Sequence, residues 1–308
     1  MINQADIMKV KGQGFLQNRG TENFSGRIVA RGALFSADEL LAIAQCAKLY
    51  GNGKVSFTSR LSAEIVGIPF DKIDDAMAFM AEHNLYFGGT GAKIRPVTAC
   101  KGTTCVFGNC DTQEMAKKIH DDYYVGWAKV PLPHKFKIGV GGCPNSCMKP
   151  SPNDFGVEAH KIPVFDASLC KGCKVCIIEQ KCPVKAVSVV DGKASIDKDR
   201  CLDCGVCTGK CPFKAFAHES ETVYKIFVGG TWGKPTRMGT PLSKYVTENE
   251  VYTLLEKTIL WFKENAYQKE RLGAAIDRIG VNNLEKSLFS DDLLNRKDEI
   301  LAAEIKTR

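Results

Sequence analysis

Eight of the cysteines in this chain fall between residues 170 and 211, in two runs built on one spacing. The first reads Cys170-x-x-Cys173-x-x-Cys176 and closes with Cys182-Pro183; the second reads Cys201-x-x-Cys204-x-x-Cys207-x-x-x-Cys211-Pro212. Thiols set three apart turn toward a common point, which constrains a fold more tightly than any apolar pattern here. The first thirty residues mix Lys, Gln, Asn and Arg with single apolar residues, and no apolar run approaches the roughly 18 positions of a membrane span. A cytoplasmic protein with no membrane contact is therefore expected. Cytosolic thiols are kept reduced, so 14 cysteines in 308 residues point to metal rather than to disulfides.

The paired runs resemble a two-cluster bacterial ferredoxin. In that pattern the fourth cysteine of each run ligates the other cluster. The resemblance thus implies one [4Fe-4S] cube on Cys170, Cys173, Cys176 and Cys211, and a second on Cys201, Cys204, Cys207 and Cys182. Five residues instead of three precede Cys182, which lengthens a loop without changing the ligand set. Zinc also takes paired CxxC motifs but explains two runs closed by Cys-Pro poorly. Gly172, Gly205 and Gly209 suit tight turns, and strand candidates Ala186 to Val190 and Ala194 to Ile196 flank a turn at Asp191-Gly192.

Cys46, Cys100, Cys105, Cys110, Cys143 and Cys147 remain. Five of them lie in two passages, Thr98-Ala-Cys-Lys-Gly-Thr-Thr-Cys105-Val-Phe-Gly-Asn-Cys-Asp-Thr112 and Lys135-Phe-Lys-Ile-Gly-Val-Gly-Gly-Cys143-Pro-Asn-Ser-Cys147. These resemble the siroheme sulfite and nitrite reductases, whose signature is a cysteine pair, a strand with Lys-Phe-Lys, then Gly-Cys-Pro-Asn-x-Cys. The resemblance implies a third [4Fe-4S] cluster on Cys100, Cys105, Cys143 and Cys147, with Cys147 also bridging to the siroheme iron. Four residues separate Cys100 from Cys105 where the family usually has five, which leaves Cys110 as an alternative to either. Phe107-Gly108 and Asp111-Thr112 match the family after Cys105, so Cys110 reads as a spare thiol. Cys46 lies on a helix opened by the capping box Ser36-x-x-Glu39, with Leu40, Ile43, Ala44 and Ala47 on its apolar side, and reads as a core residue.

Reducing an oxyanion needs positive charge and proton donors around its oxygens. Residues two apart on a strand face the same way, so Lys135 and Lys137 would point together while Phe136 faces the core. Their position before Cys143 matches the family and implies that they are catalytic. Arg27 and Arg31, flanking a short strand from Gly26 to Ala30 and sharing a face, are the candidates for the family's substrate arginine. Thr58 and Arg60, in Gly53-Lys-Val-Ser-Phe-Thr-Ser-Arg60, resemble the strand that meets siroheme carboxylates, although Leu61 or Ser62 stands where the family has Gln. Gly229, Gly230, Lys234 and Arg237, in Val228-Gly-Gly-Thr-Trp-Gly-Lys-Pro-Thr-Arg237, resemble the glycine-rich cofactor loop, where glycines let a flat ligand approach and the basic residues pair with its carboxylates. The segment Glu270-Arg-Leu-Gly to Asp277-Arg-Ile-Gly280 also matches the family and reads as structural.

Strands near 26 to 30, 54 to 59, 135 to 140 and 224 to 228, with helices near 37 to 50, 71 to 83, 112 to 124 and 248 to 265, make an α+β pattern. The resemblance divides it into an N-terminal ferredoxin-like half-domain (1–95), a siroheme and 4Fe-4S domain (96–160 and 219–308), and an inserted two-cluster ferredoxin domain (161–218). This is the organisation of the family's dissimilatory-type branch. The formal charge of +7 counts cysteines as neutral, and three cubes at about −2 each would nearly cancel it. Lys and Arg are not gathered in a run, which argues against nucleic acid. The expected function is six-electron reduction of sulfite to sulfide. Nitrite reduction to ammonia is the alternative, and a non-catalytic iron-sulfur electron carrier is the reading from another class. No GxGxxG or flavin segment appears, so an external low-potential donor is expected. One Lys-Phe-Lys and one cysteine set, where single-chain assimilatory members carry two copies of the half-unit, imply a homodimer or a related subunit.

Overall fold

The computed structural model describes residues 2–308. A first helix, α1 (Gln4–Gly12), leads into the strands β1 (Phe15–Gln17), β2 (Asn23–Ile28), β3 (Val55–Phe57) and β4 (Ala63–Pro69). They pair antiparallel in the order β1-β2-β4-β3. Ala63 and Ile65 are fully buried on one face while Glu64 between them points to the opposite face and is only partly buried, the period of two that a strand requires. Against the buried side pack α2 (Ala37–Tyr50) and α3 (Ile73–Glu82), with Cys46 wholly inside their shared core. Both halves of the Ser36 and Glu39 capping box form.

The strand expected at 26 to 30 lies at 23 to 28. The β2/β4 register shifts between Phe24 and Gly26, and the chain then enters a 3-10 turn at Arg31–Ala33. Arg27 therefore sits on the strand, whereas Arg31 lies beyond it and does not share its face.

A second, five-stranded sheet follows, built from β5 (Thr98–Ala99), β6 (Ile138–Gly141) and β7 (Phe155–Lys161), later joined by β10 (Thr222–Val228) and β11 (Thr240–Pro241). Its order is β11-β10-β7-β6-β5, parallel from β5 to β7 and antiparallel from β7 to β11. Central β7 is buried along nearly its whole length, consistent with a strand covered on both faces. Helix α4 (Thr112–Ile119) and the long α6 (Glu248–Asn265) contribute to this core, where Phe136, Phe155 and Phe262 are fully buried. The helix expected at 112 to 124 changes character at residue 120. His120–Val125 is a π-helical turn continuing α4.

Between β7 and β10 the chain makes an excursion. Lys161 and Thr222 are directly paired, so the chain leaves the sheet and returns to it at neighbouring points. The intervening residues form α5 (Ile177–Lys181) and an antiparallel hairpin of β8 (Val187–Val190) and β9 (Lys193–Ile196) around a small core of Ile178, Val187, Ala194 and Phe216. Asp191 and Gly192 both take positive φ, the geometry of a tight two-residue hairpin. Helices α7 (Leu272–Ile279) and α8 (Val281–Leu288) pack beside α6.

Candidate active site

Between the two sheets lies a cavity of about 220 Å³ lined by Arg27, Thr58, Ser59, Arg60, Ser62, Gly89, Arg95, Pro96, Lys135 and Lys137. The β3–β4 hairpin carries Arg60 at its tip. The Thr58 hydroxyl accepts from the Arg60 and Ser62 N–H groups at 3.2 and 3.3 Å, and Leu61 takes positive φ to close the turn. Arg60 reaches across to the second sheet, donating to the carbonyls of Pro96 (2.8 Å) and Ile138 (3.1 Å) and to Asn153 Oδ1 (2.9 Å). Arg27 pairs with Glu64 at 2.6 Å and shares the Gly89 carbonyl with Arg95. Phe136 is fully buried and bridges to Ile94, which turns Lys135 and Lys137 on either side of it into the cavity. The regular ladder begins only at Ile138, so the two lysines precede the strand rather than lie on it.

So many like charges in one recess disturb one another. Burial, then Arg60, Arg271 and Lys135, pushes the Lys137 ammonium down to about 8. Lys135 shifts the same way, chiefly by burial. Burial and neighbouring cations also lower Arg60 and Arg95, to about 10 each, which leaves both guanidinium groups charged at neutral pH. His134 is pushed down to about 4 by burial, Arg271 and Lys135, and its neutral Nδ1 accepts the Lys135 N–H at 2.7 Å.

Asn153 and Asp154 support this arrangement. Asn153 Nδ2 donates to the carbonyls of Lys149 and Pro150 at 3.0 and 3.1 Å, tying the loop after Cys147 to Arg60. Asp154 is fully buried, pairs with Arg271 and accepts the Lys137 N–H. Burial pushes the Asp154 carboxyl up, and Arg271 and the Lys137 amide counter it. Around the recess the Nε atoms of Arg60, Arg95 and Arg271 and the Ser62 hydroxyl are buried without a partner among the described residues. Unsatisfied buried donors of this kind suit a bound anion.

The first cysteine set gathers at one end of adjacent parallel strands. Cys100 follows β5, while Cys143 and Cys147 follow β6, and the Gly142 N–H donates to Cys100 Sγ at 3.2 Å. Cys105 ends a 3-10 turn at Gly102–Thr104, and Gly108 is required behind it because a Cβ there would stand 2.0 Å from the Gly102 carbonyl oxygen. Burial raises the Cys143 thiol, and Cys100, Cys105 and Cys147 are near enough to add to the rise. Cys110 turns away into the core beside Tyr224, where burial pushes it up to about 12. Cys46, also in a core, is pushed up to about 12 by burial alone.

The excursion between β7 and β10 holds two cysteine-lined cavities. One, of about 160 Å³, is lined by Cys170, Cys173, Cys176 and Cys211. The other, of about 20 Å³, is lined by Cys182, Cys201, Cys204 and Cys207. Burial pushes Cys207 up to about 11, with Cys204, Cys201 and Cys182 adding to it. The structure thus brings each of these two sets of four thiols to the wall of one recess.

Other sequence candidates stand elsewhere. Arg31 is ion-paired with Asp121 at 2.5 Å, well exposed, and outside the basic cavity. Arg237 is engaged by α7, on Asp277 (2.7 Å), and by its own loop, on Thr240 Oγ1 (3.1 Å) and the Gly229 and Met238 carbonyls (3.1 and 3.2 Å). Lys234 is exposed. At Gly229 a Cβ would stand 2.7 Å from Ile276 Cδ1, and at Gly230 2.1 Å from the Ser151 carbonyl oxygen, so neither position has room for a side chain. Arg95, His134, Asn153 and Asp154 went unread in the sequence. The one signal for Arg95 was a lone cation in the otherwise apolar Ile94-Arg-Pro-Val97, just before the first cysteine passage.

The two-sheet fold is that of the sulfite and nitrite reductases. It superposes on the crystal structure of dissimilatory sulfite reductase I with a TM-score of 0.68 at 23% identity, covering 86% of this chain and 68% of that one. The chain belongs to the nitrite and sulphite reductase family: the family's 4Fe-4S domain model matches residues 90–296, and its ferredoxin-like half-domain model matches residues 16–83. It is 30% identical over 271 residues to a coenzyme F420-dependent sulfite reductase of Methanocaldococcus jannaschii, a match covering 87% of this chain and 42% of that longer protein. It is 27% identical over 315 residues to a subunit of the anaerobic sulfite reductase of Salmonella typhimurium, covering 94% of this chain and 90% of that subunit.

Proposed function

We propose that this chain is the siroheme-bearing subunit of a sulfite reductase that carries three [4Fe-4S] clusters. The observation that carries the reading is the basic cavity, tied through Asn153 to the loop of Cys147. Cys100, Cys105, Cys143 and Cys147 would hold one cube, with siroheme attached at Cys147. Cys170, Cys173, Cys176 and Cys211 would hold the second, and Cys182, Cys201, Cys204 and Cys207 the third. Domain limits of 1–95, 96–160 with 219–308, and 161–218 follow from this assignment.

Siroheme, when bound, supplies electrons to the substrate's central atom. The chain's part is to hold and protonate oxygens. Arg27 and Arg95, aligned on one carbonyl, present fixed donors to the anion. Lys137, brought down to about 8 by burial and then by its cationic neighbours, is matched to proton delivery at the pH of a cell, and Lys135 is placed to do the same. Arg60 is largely occupied by Asn153 and two backbone carbonyls and would meet cofactor carboxylates through its remaining Nε–H and Nη1–H. Nitrite fits the same cavity and is an arm of the assay. Electrons would come from an external low-potential donor in the cytoplasm, and the working form would be a homodimer or a complex with a related subunit. The Salmonella relative is itself named as a subunit.

The test is an anaerobic preparation assayed for iron, for acid-extractable pigment and for reduction of sulfite and nitrite with a reduced viologen. Three cubes and one siroheme predict about thirteen irons per chain. About twelve irons with no tetrapyrrole would make the chain an electron carrier, and about eight would leave only the excursion loaded. Light scattering during chromatography reads the assembly; a fully active monomer would exclude the dimer.

A further inference from the structure

The two arginines that face the basic cavity are aligned by a backbone carbonyl, and the peptide just before that carbonyl is itself anchored by a side chain. Gly89 O accepts from Arg27 Nη1 at 3.2 Å and from Arg95 Nη1, while the N–H of the same residue donates to the Tyr124 hydroxyl at 3.0 Å. Gly89 adopts φ +73°, and a Cβ there would press on Pro96 and on Arg27 Cδ at 3.0 and 3.3 Å. At Gly88 a Cβ would stand 2.6 Å from the Tyr124 oxygen. The Gly88-Gly89 pair is thus shaped to admit the phenol on one side and two guanidinium groups on the other.

Tyr124 arrives by an unusual route. It lies in the π-helical turn His120–Val125, which adds a residue per turn and re-aims side chains that an unbroken α-helix would send elsewhere. The Arg31–Asp121 ion pair lies at the exposed outer edge of the turn, and the Tyr124 ring packs on His120 at a tilt with centroids 4.8 Å apart. Tyr124 also lines a separate cavity of about 750 Å³ on the far side of Gly89, so it forms part of the wall between the two recesses.

We propose that Tyr124 is a positioning residue for the oxyanion: its hydroxyl anchors the Gly88–Gly89 peptide, and through the Gly89 backbone turn it sets the adjoining Gly89–Thr90 carbonyl, and with it the directions of Arg27 and Arg95. This rests on the reading of the basic cavity as the anion site. Tyr124 itself touches neither the cavity nor the reacting atoms.

The experiment uses the reconstituted holoenzyme of the full chain. Tyr124→Phe removes one hydroxyl and keeps the ring. Sulfite KM should rise roughly fivefold with kcat changed less than twofold, and the sulfite dissociation constant from a visible-spectrum titration should weaken by the same factor. Tyr123→Phe is the structural control, because Tyr123 lies in the same turn but bonds to Tyr252 O and Glu256. It should leave both values at the parent level. Arg95→Ala separates the positioning role from the anion site itself. If it abolishes tight sulfite binding while Tyr124→Phe binds like the parent, the positioning role is wrong and the anion site stands. If Arg95→Ala binds sulfite like the parent, the anion-site reading falls and takes the proposal with it. Equal losses in Tyr123→Phe and Tyr124→Phe would also overturn the proposal, since the turn's integrity alone would then explain the effect.

Discussion

The backbone N–H of Lys137 donates to Asp154 Oδ2 at 2.8 Å, and the same carboxylate takes both of its oxygens to Arg271 Nη2, at 2.9 and 3.0 Å. One buried anion therefore fixes the peptide that carries the Lys137 side chain and compensates a guanidinium that is itself largely buried. Asp154→Asn keeps the shape and removes the charge. Breaking one partner of a buried pair typically costs about 3–5 kcal/mol. Denaturant unfolding should show a loss of that order in Asp154→Asn, whereas a change below about 1 kcal/mol would mean that the pair is not compensating anything.

Burial and its cationic neighbours push the Lys137 ammonium down from the usual 10.5 to about 8. Its protonated form is lost as pH rises through about 8, so kcat/KM should fall there. A bound anion favours the ammonium, which should move the corresponding fall in kcat to higher pH. Lys137→Arg stays charged and should flatten that limb, with sulfite's own ionisation common to both enzymes. Lys137→Met should lower kcat on the order of 10²-fold. The stability linkage runs the other way, because a depressed ammonium is disfavoured by folding: the Lys137 contribution should rise between about pH 8 and 10.5.

Arg27 and Arg31 are separated by a simple comparison. Arg27→Ala should raise sulfite KM roughly tenfold, as expected for loss of a charge-assisted contact in a half-buried site. Arg31 pairs with Asp121 at the surface, so Arg31→Ala should cost no more than about 1 kcal/mol of stability and leave KM unchanged. A steep rise in KM for Arg31→Ala, with Arg27→Ala silent, would reverse the assignment.

Because Lys161 and Thr222 are paired neighbours, residues 162–221 can be replaced by a short turn without stretching the sheet. The shortened chain should fold and keep its tetrapyrrole while losing about eight irons. Retention of about thirteen irons after the deletion would place the clusters elsewhere.

What the sequence disclosed and what it hid follow from the range of the interactions. Cysteine runs are local, so their spacing was readable, and a spacing of two put Lys135 and Lys137 on one side of buried Phe136. The α+β class followed from helix and strand periods that the structure reproduces over α2 and α6. Asn153 and Asp154 act through partners distant in the chain, and no periodic signal marks them or Arg95. The π-helical turn escaped because its apolar spacing differs from an α-helix by one residue over a single turn. At Gly229 and Gly230 the backbone of 151–153 and α7 leaves no space for a side chain, so glycine is demanded there by residues distant in the chain. Sequence spacing reveals that glycine is needed but not which neighbour needs it.

Arg60 spans from a hairpin tip of one sheet to two strand-end carbonyls of the other, its Nε wholly enclosed. Were the halves to part, a cation and the acceptors around it would be stripped of each other together. Separation is therefore penalised at the seam itself, and heating should give one shared melting event for the two sheets, even though each owns a hydrophobic core.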